Sequence, residues 1–282
     1  MGTTAEVNGI TVAYDDEGEG APLVLVHGHP FDRSMWAPQV AGLAGPAWRV
    51  IVPDLRGYGG STVVLGITPL AVFARDIAAL MDHLGVDEAV IGGLSMGGQI
   101  VLEFHRLFPG RVRGLVLADT FAQGETEEGR RTRNAMADRL LAEGMRPYAE
   151  EVLPKMVAPS TIATMPEVAA HVLRMMRDAP AEGAAAALRG RAERPDYSAM
   201  LAAVAVPALV VVGRHDEFTP VADAEFMHRR IPRSTLAVIE GAAHMPNLEA
   251  PAEFGRALDE FLSTFAAATP GPPVRPGPVG GS

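Results

Sequence analysis

The chain contains no cysteine. That excludes a disulfide framework, thiolate nucleophiles and any zinc site built on thiolates. Lysine is almost missing too: Lys155 stands alone and every other basic side chain is arginine. With so much Ala, Gly and Pro, that bias is the compositional mark of a GC-rich bacterial genome and carries no mechanism. No apolar run approaches the roughly 20 residues that span a bilayer. The opening segment, Met1 to Gly9, has no basic stretch followed by an apolar one, so no signal peptide is expected and a cytoplasmic location is. Positive charge is in deficit, with 24 Lys and Arg against 34 Asp and Glu and a formal net charge of −10. Nucleic acid and anionic membrane surfaces select for basic proteins, so neither is an expected partner, and a neutral small molecule is.

The 282 residues, 48% of them hydrophobic, suit one α/β domain with an insertion better than two independent folds. Ile10, Val12 and Tyr14 alternate as in an antiparallel edge hairpin. Apolar strands are predicted at Leu23–His27, Arg49–Pro53, Ala89–Gly92, Gly114–Ala118, Ala208–Gly213 and Thr235–Glu240. Helices alternate with them, which predicts a mostly parallel sheet covered on both faces. Pro69–Leu84 reads as a helix with Thr68 as N-cap and Leu70, Phe73, Ile77, Leu80, Met81 and Leu84 on one face. Pro251–Ala266 repeats the pattern with Phe254, Leu258, Phe261, Leu262 and Phe265.

Between 121 and 203 the alternation stops, and prolines punctuate a helix-forming stretch. The expected division is a core of residues 1–120 and 204–266, with a helical cap over 121–203. Six methionines fall in that cap (Met136, Met145, Met156, Met165, Met175 and Met176), suited to an adaptable pocket wall or to plain packing. The Pro/Gly-rich tail at 267–282 has nothing to bury and is expected to be disordered.

The chemistry is concentrated in a few short segments. Gly93-Leu94-Ser95-Met96-Gly97 lies between an apolar strand and the opening of a helix. A tight strand-to-helix turn holds a serine oxygen out at the end of a sheet, and only small residues two positions either side let strand and helix pass that close. Asp216 follows the strand at 208–213, and His244 follows the strand at 235–240. A serine hydroxyl is a poor nucleophile until a neutral imidazole takes its proton, and the imidazole needs a carboxylate to fix its tautomer and stabilise the cation that forms. Asp119, at the end of the strand at 114–118, is the rival acid. His27 reads as a brace rather than a metal ligand, and Asp54 with Arg56, Gly57, Gly59 and Ser61 reads as a structural turn because the Gly-Lys-Ser/Thr ending of a phosphate loop is missing.

These segments, H-G-H-P at 27–30, D-L-R-G-Y-G-G-S at 54–61, G-L-S-M-G at 93–97, G-R-H-D at 213–216 and G-A-A-H at 241–244, resemble an α/β-hydrolase-fold serine hydrolase from about Ile10 to Phe265. Within that superfamily, Ser34-Met35-Trp36 and the run His244–Glu249 are most similar to the small esterase, enol-lactonase and cofactor-free haloperoxidase branch. The resemblance implies the chain order Ser95 nucleophile, Asp216 acid and His244 base. It also implies an oxyanion hole from the backbone N–H groups of His29 and Met96. The residue after the first His-Gly is often large and apolar in that branch. Here it is His29, whose ring is expected to face the pocket.

The leading expectation is hydrolysis of small-molecule esters or lactones through an acyl-enzyme, with no metal and no cofactor. Two alternatives keep the fold: perhydrolase or C–C hydrolase chemistry on the same triad, and a non-catalytic ligand-binding protein.

Overall fold

Asn8 and Gly9, both at positive φ (48° and 76°), turn the chain tightly enough to pair β1 (Thr3–Val7) with β2 (Ile10–Glu17). Asn-Gly favours this turn because both residues tolerate left-handed backbone. In the computed structural model, which describes residues 3–266, this hairpin forms one edge of an eight-stranded sheet. The other strands are β3 (Ala21–Val26), β4 (Trp48–Pro53), β5 (Ala89–Leu94), β6 (Val112–Ala118), β7 (Ala208–Gly213) and β8 (Ser234–Ile239). The spatial order is β1-β2-β4-β3-β5-β6-β7-β8. The β1–β2 and β2–β4 pairings are antiparallel and all the rest parallel. The alternation rule for side chains divides each strand between two cores. Val24, Val26, Ile91, Leu115 and Val210 point to one face, and Leu23, Leu25, Val90, Val116 and Leu209 to the other.

Helices cover both faces. Three precede the insertion: α1 (Ala37–Leu43), α2 (Leu70–His83) and α3 (Met96–Leu107). Five run between β6 and β7: α4 (Glu127–Glu143), α5 (Met145–Met156), α6 (Pro159–Thr164), α7 (Pro166–Asp178) and α8 (Ala181–Ala192). The last three are α9 (Val221–His228), α10 (Pro246–Glu249) and α11 (Pro251–Ala266). On one side α2 and α3 bury Phe73, Ile77, Ile100 and Phe104. On the other, α1 and α11 bury Val40, Phe254, Leu258 and Phe261, with Trp36 and Phe254 6.0 Å apart between ring centres. Each such side chain contributes about 1.5–3 kcal/mol relative to exposure.

Two details differ from the sequence reading. Thr68 does not cap α2; Pro69, in extended backbone, is the boundary residue, and Thr68 N–H instead donates to the Ala186 carbonyl of α8 at 3.0 Å. A tertiary contact has claimed the residue that local pattern assigned to the helix end. Prolines 159 and 166 open α6 and α7, but Pro154 lies within the last turn of α5 rather than breaking it. No helix among the described residues is long and apolar enough to cross a membrane, and the tail expected to be disordered lies outside the described residues.

Candidate active site

β5 runs straight into α3 with one residue between them. Ser95 takes φ 58° and ψ −118°, a strained conformation for a residue with a side chain. Gly93 and Gly97 make the turn possible: a Cβ on Gly93 would overlap the backbone of Gly97, and one on Gly97 would overlap the Val26 carbonyl. The strained residue is held on both sides, Ser95 N–H donating to the Ala118 carbonyl (2.9 Å) and Thr120 Oγ1 to the Ser95 carbonyl (2.7 Å). Its side chain reaches the wall of a cavity of about 300 Å³ between the sheet and helices α4, α5 and α8. His244 lines the same cavity.

His244 Nδ1–H donates to Asp216 Oδ2 at 2.7 Å, which leaves Nε2 as the nitrogen available to the cavity. Asp216 is held as an anion. Its Oδ1 accepts from Phe218 N–H (2.8 Å) and Thr219 N–H (3.1 Å), and its Oδ2 also accepts from the Thr219 hydroxyl. Burial pushes its pKa up, but the adjacent His244 and these hydrogen bonds outweigh burial and hold it below the usual carboxylate range. Asp119 is the reverse case. Fully buried, at φ 45°, it accepts from Gly213 N–H at 2.9 Å through Oδ1, and Oδ2 has no acceptor role filled. Burial, then the charge of Asp216, push its pKa well up, which favours its protonated form. Of the two candidate acids, Asp216 is the one hydrogen-bonded to the histidine. One ligand-type atom each from Asp119, Asp216 and His244 lies within 4.8 Å of the others, but His244 Nδ1 and Asp216 Oδ2 are committed to each other.

Two backbone amides near Ser95, those of His29 and Met96, lack a protein acceptor among the described residues, and Met96 is the first residue of α3, where no intrahelical acceptor exists. His27 is a brace with a fixed tautomer: Nε2 accepts from Leu55 N–H (2.9 Å), so Nδ1 carries the proton and donates to the Gly28 carbonyl (2.8 Å). The His29 ring lines the cavity, with Nδ1 2.8 Å from the Tyr58 hydroxyl and Nε2 unpartnered. Burial, then Arg191 and Arg133, hold its pKa well below the ordinary histidine value, so it is neutral. Asp54 accepts from Arg33 and Gly60 N–H groups, a structural turn as expected. Of the six methionines, Met136 and Met156 line the cavity, while Met145, Met175 and Met176 pack in the interior.

Several residues at the site were given no role by the sequence reading. Glu249 accepts from Ala243 and Met245 N–H, either side of His244, and from Ala158 N–H and the Thr161 hydroxyl. Tyr58, Gln99 and Arg191 reach the cavity region from a loop, from the second turn of α3 and from α8. Only the folded chain brings them together.

A eight-stranded, mostly parallel sheet with a serine at a strained strand-to-helix turn and an Asp–His pair beyond the next strands defines a hydrolase fold. The sequence matches the alpha/beta hydrolase fold family over residues 21–251, and the chain belongs to that family. It is 30% identical over 263 residues to 3-oxoadipate enol-lactonase 2 of Acinetobacter baylyi, covering 93% of this chain and 96% of that one. A thermophilic esterase from Thermogutta terrifontis, solved with malate bound, superposes with a TM-score of 0.90 at 40% identity, covering 94% of this chain and 98% of the other. An enol-lactonase from Burkholderia xenovorans superposes with a TM-score of 0.86 at 29% identity over 93% and 100% of the two chains. The protein is an esterase- and enol-lactonase-like α/β hydrolase.

Proposed function

We propose that the protein cleaves small carboxylic esters or lactones through an acyl-enzyme, with Ser95 as nucleophile, His244 as base and Asp216 as the acid that orients it. The observation that carries this reading is that Ser95 and the Asp216-bound His244 line one and the same cavity. Ser95 Oγ attacks the substrate carbonyl as His244 Nε2 takes its proton, and Asp216 stabilises the imidazolium that results. The N–H groups of His29 and Met96 donate to the oxyanion, where no acceptor among the described residues competes for them. His244 returns the proton to the leaving oxygen, which in a lactone stays tethered to the acyl group. A water then attacks the acyl-enzyme with His244 as base, the carboxylic acid departs and the Ser95 hydroxyl is restored.

The route uses no metal and no cofactor. In this reading residues 121–203 act as the cap that selects substrate, since α4, α5 and α8 supply Arg133, Met136, Tyr148, Met156 and Leu188 to the cavity wall. The test is a panel of p-nitrophenyl esters and lactones, with mass spectrometry of the enzyme quenched during turnover. The expected result is hydrolysis with an acyl adduct on the peptide containing Ser95. Turnover of neither class, or an adduct on another residue, would overturn the proposal.

A further inference from the structure

The reaction proposed for this site uses the backbone N–H of His29 and leaves the imidazole of the same residue idle. That ring is buried and lines the cavity that Ser95 and His244 share. Its Nδ1 lies 2.8 Å from the Tyr58 hydroxyl, while its Nε2 is buried with no hydrogen-bond partner among the described residues. Tyr58 and Tyr148 meet the ring edge-on, each with ring centres 6.1 Å away, and hold its plane. An apolar side chain would fill the same wall with no polar atom left unmet. A buried polar atom without a partner opposes folding, and in the wall of a binding cavity it points to a ligand.

Tyr58 decides which ring nitrogen carries the proton. It is fully buried, and among the described residues its hydroxyl has His29 Nδ1 as hydrogen-bond partner. With a proton on Nδ1 the ring would donate to the phenol oxygen, and the phenolic O–H would be stranded in the core. With Nδ1 bare the phenol donates to it, and the ring proton sits on Nε2. This second arrangement leaves one donor unmet and puts it on the ring that lines the cavity. The nitrogens of an imidazole point to opposite edges, so Nε2 is directed away from Tyr58 and the core behind it. Both groups are neutral: burial pushes the phenol up, and burial, then Arg191 and Arg133, hold the imidazole well below its ordinary value.

We propose that His29 selects substrate through Nε2–H, a neutral donor whose tautomer Tyr58 sets, and that the substrate carries an ether or oxo oxygen a few atoms from its scissile ester or lactone. The spacing rests on the hydrolase reading above, in which the amide of this same residue binds the oxyanion, while the donor itself does not. A methylene in place of that oxygen would leave Nε2–H unmet, and this difference is what selects. Tyr58 is a positioning residue, acting through His29.

Nuclear magnetic resonance of the protein labelled with ¹⁵N-histidine tests the tautomer directly, His29 being the ring whose signals vanish in His29→Phe and move in Tyr58→Phe. At neutral pH the wild type is expected to show Nε2 protonated and Nδ1 bare, and Tyr58→Phe should move part of the proton to Nδ1. A proton on Nδ1 in the wild type overturns the inference, and a tautomer unchanged in Tyr58→Phe removes Tyr58 from it. Selection is read on Ser95→Ala, titrated with uncharged pairs in which oxygen replaces one methylene. These are methyl methoxyacetate against butanoate, 3-methoxypropanoate against pentanoate, and 2-methoxyethyl against butyl acetate. Uncharged probes keep the Arg133 and Arg191 guanidiniums, which also line the cavity, from dominating the comparison.

For at least one pair the oxygen-bearing member should shift the Nε2–H resonance where its alkyl partner does not. Adding His29→Phe should lower the ratio of their affinities by about 2- to 13-fold, the loss of one neutral hydrogen bond. An Nε2–H resonance that answers no oxygen-bearing member overturns the inference without recourse to a variant at 29, and so does a ratio unchanged by His29→Phe. Hydrolysis of these esters by the wild type with no such response in Ser95→Ala would sink the donor and leave the hydrolase reading standing. An Nε2–H that answers the oxygen in a protein that hydrolyses none of them would do the reverse.

Discussion

Two carboxyl groups within reach of one histidine cannot both ionise cheaply, and the protein divides the roles by environment. Asp216 takes the charge because His244, Thr219 and the Phe218 amide all stabilise it, and Asp119 takes the proton because it is buried beside that charge. Replacing Asp216 with Asn should therefore lower kcat/KM steeply, by up to about 10⁴-fold as in triads where the amide selects the wrong tautomer. Asp119→Asn should stay within roughly tenfold of wild type, since a neutral amide keeps the acceptor for Gly213 N–H and imitates the protonated acid. Ester hydrolysis by the two variants checks the order, and a reversal would transfer the acid role to Asp119. The same pair fixes the sign of a stability change. The folded pKa of Asp119 is raised, so its contribution is complete below the unfolded value of about 4 and is lost as pH rises toward the folded value. Asp216 is depressed, and its contribution is present above about 4 and lost as pH falls through its folded value. Asp119→Asn does not titrate, so its urea midpoint should gain on that of the wild type as pH rises above about 4. A constant difference over that rise would mean Asp119 is ionised in the folded protein.

The elements that position Ser95 were written locally, and the clamp that holds the loop around His244 was not. Gly93, Ser95 and Gly97 between an apolar strand and a helix form a self-contained instruction, because the turn's steric demands involve only its own neighbours. The buried faces of α2 and α11 follow from helical spacing in the same way, as does the placement of Asp216 and His244 after their strands. The strand Thr3–Val7 escaped the reading, since its two threonines and glutamate carry little apolar alternation, although Asn8-Gly9 was a hairpin signal. Glu249 escaped it for a different reason. Its Oε2 partners, Ala158 and Thr161, lie 91 and 88 residues away, and no window of sequence contains both ends. This carboxylate clamps the loop around His244 to the start of α6 with four hydrogen bonds. Glutamine offers one acceptor oxygen in place of two and points an N–H₂ group at donors. Glu249→Gln should lose roughly 1.5–3 kcal/mol for each charged hydrogen bond left unmade. The expected outcome is a lower thermal midpoint together with a lower kcat on esters. A stable variant with unchanged kcat would show that the loop holds His244 without the clamp.

At the scale of the whole molecule, the net charge of −10 is a property of the chain as a whole, whereas two guanidiniums, Arg133 and Arg191, line the cavity. Average charge describes the surface; a binding site is set by the few groups that lose water around the ligand. The seating of the helical insertion on the sheet is equally specific. Gly183 of α8 packs against the backbone of Gly57, with no space for a Cβ on either. Gly183→Val should push α8 outward, with overpacking worth about 1–3 kcal/mol. Because α8 carries Leu188 and Arg191 to the cavity, KM should rise more than kcat falls. Unchanged KM would mean that α8 does not shape the binding end of the cavity.

The central claim is that Ser95, set on its strained turn, is the group that attacks the substrate. Its most direct test is kcat/KM for a short p-nitrophenyl ester, measured on wild type and on Ser95→Ala after circular dichroism shows both to be folded alike. The account predicts a loss of roughly 10³-fold or more, the residue of activity coming from the oxyanion donors and binding alone. Activity within tenfold of wild type would contradict it.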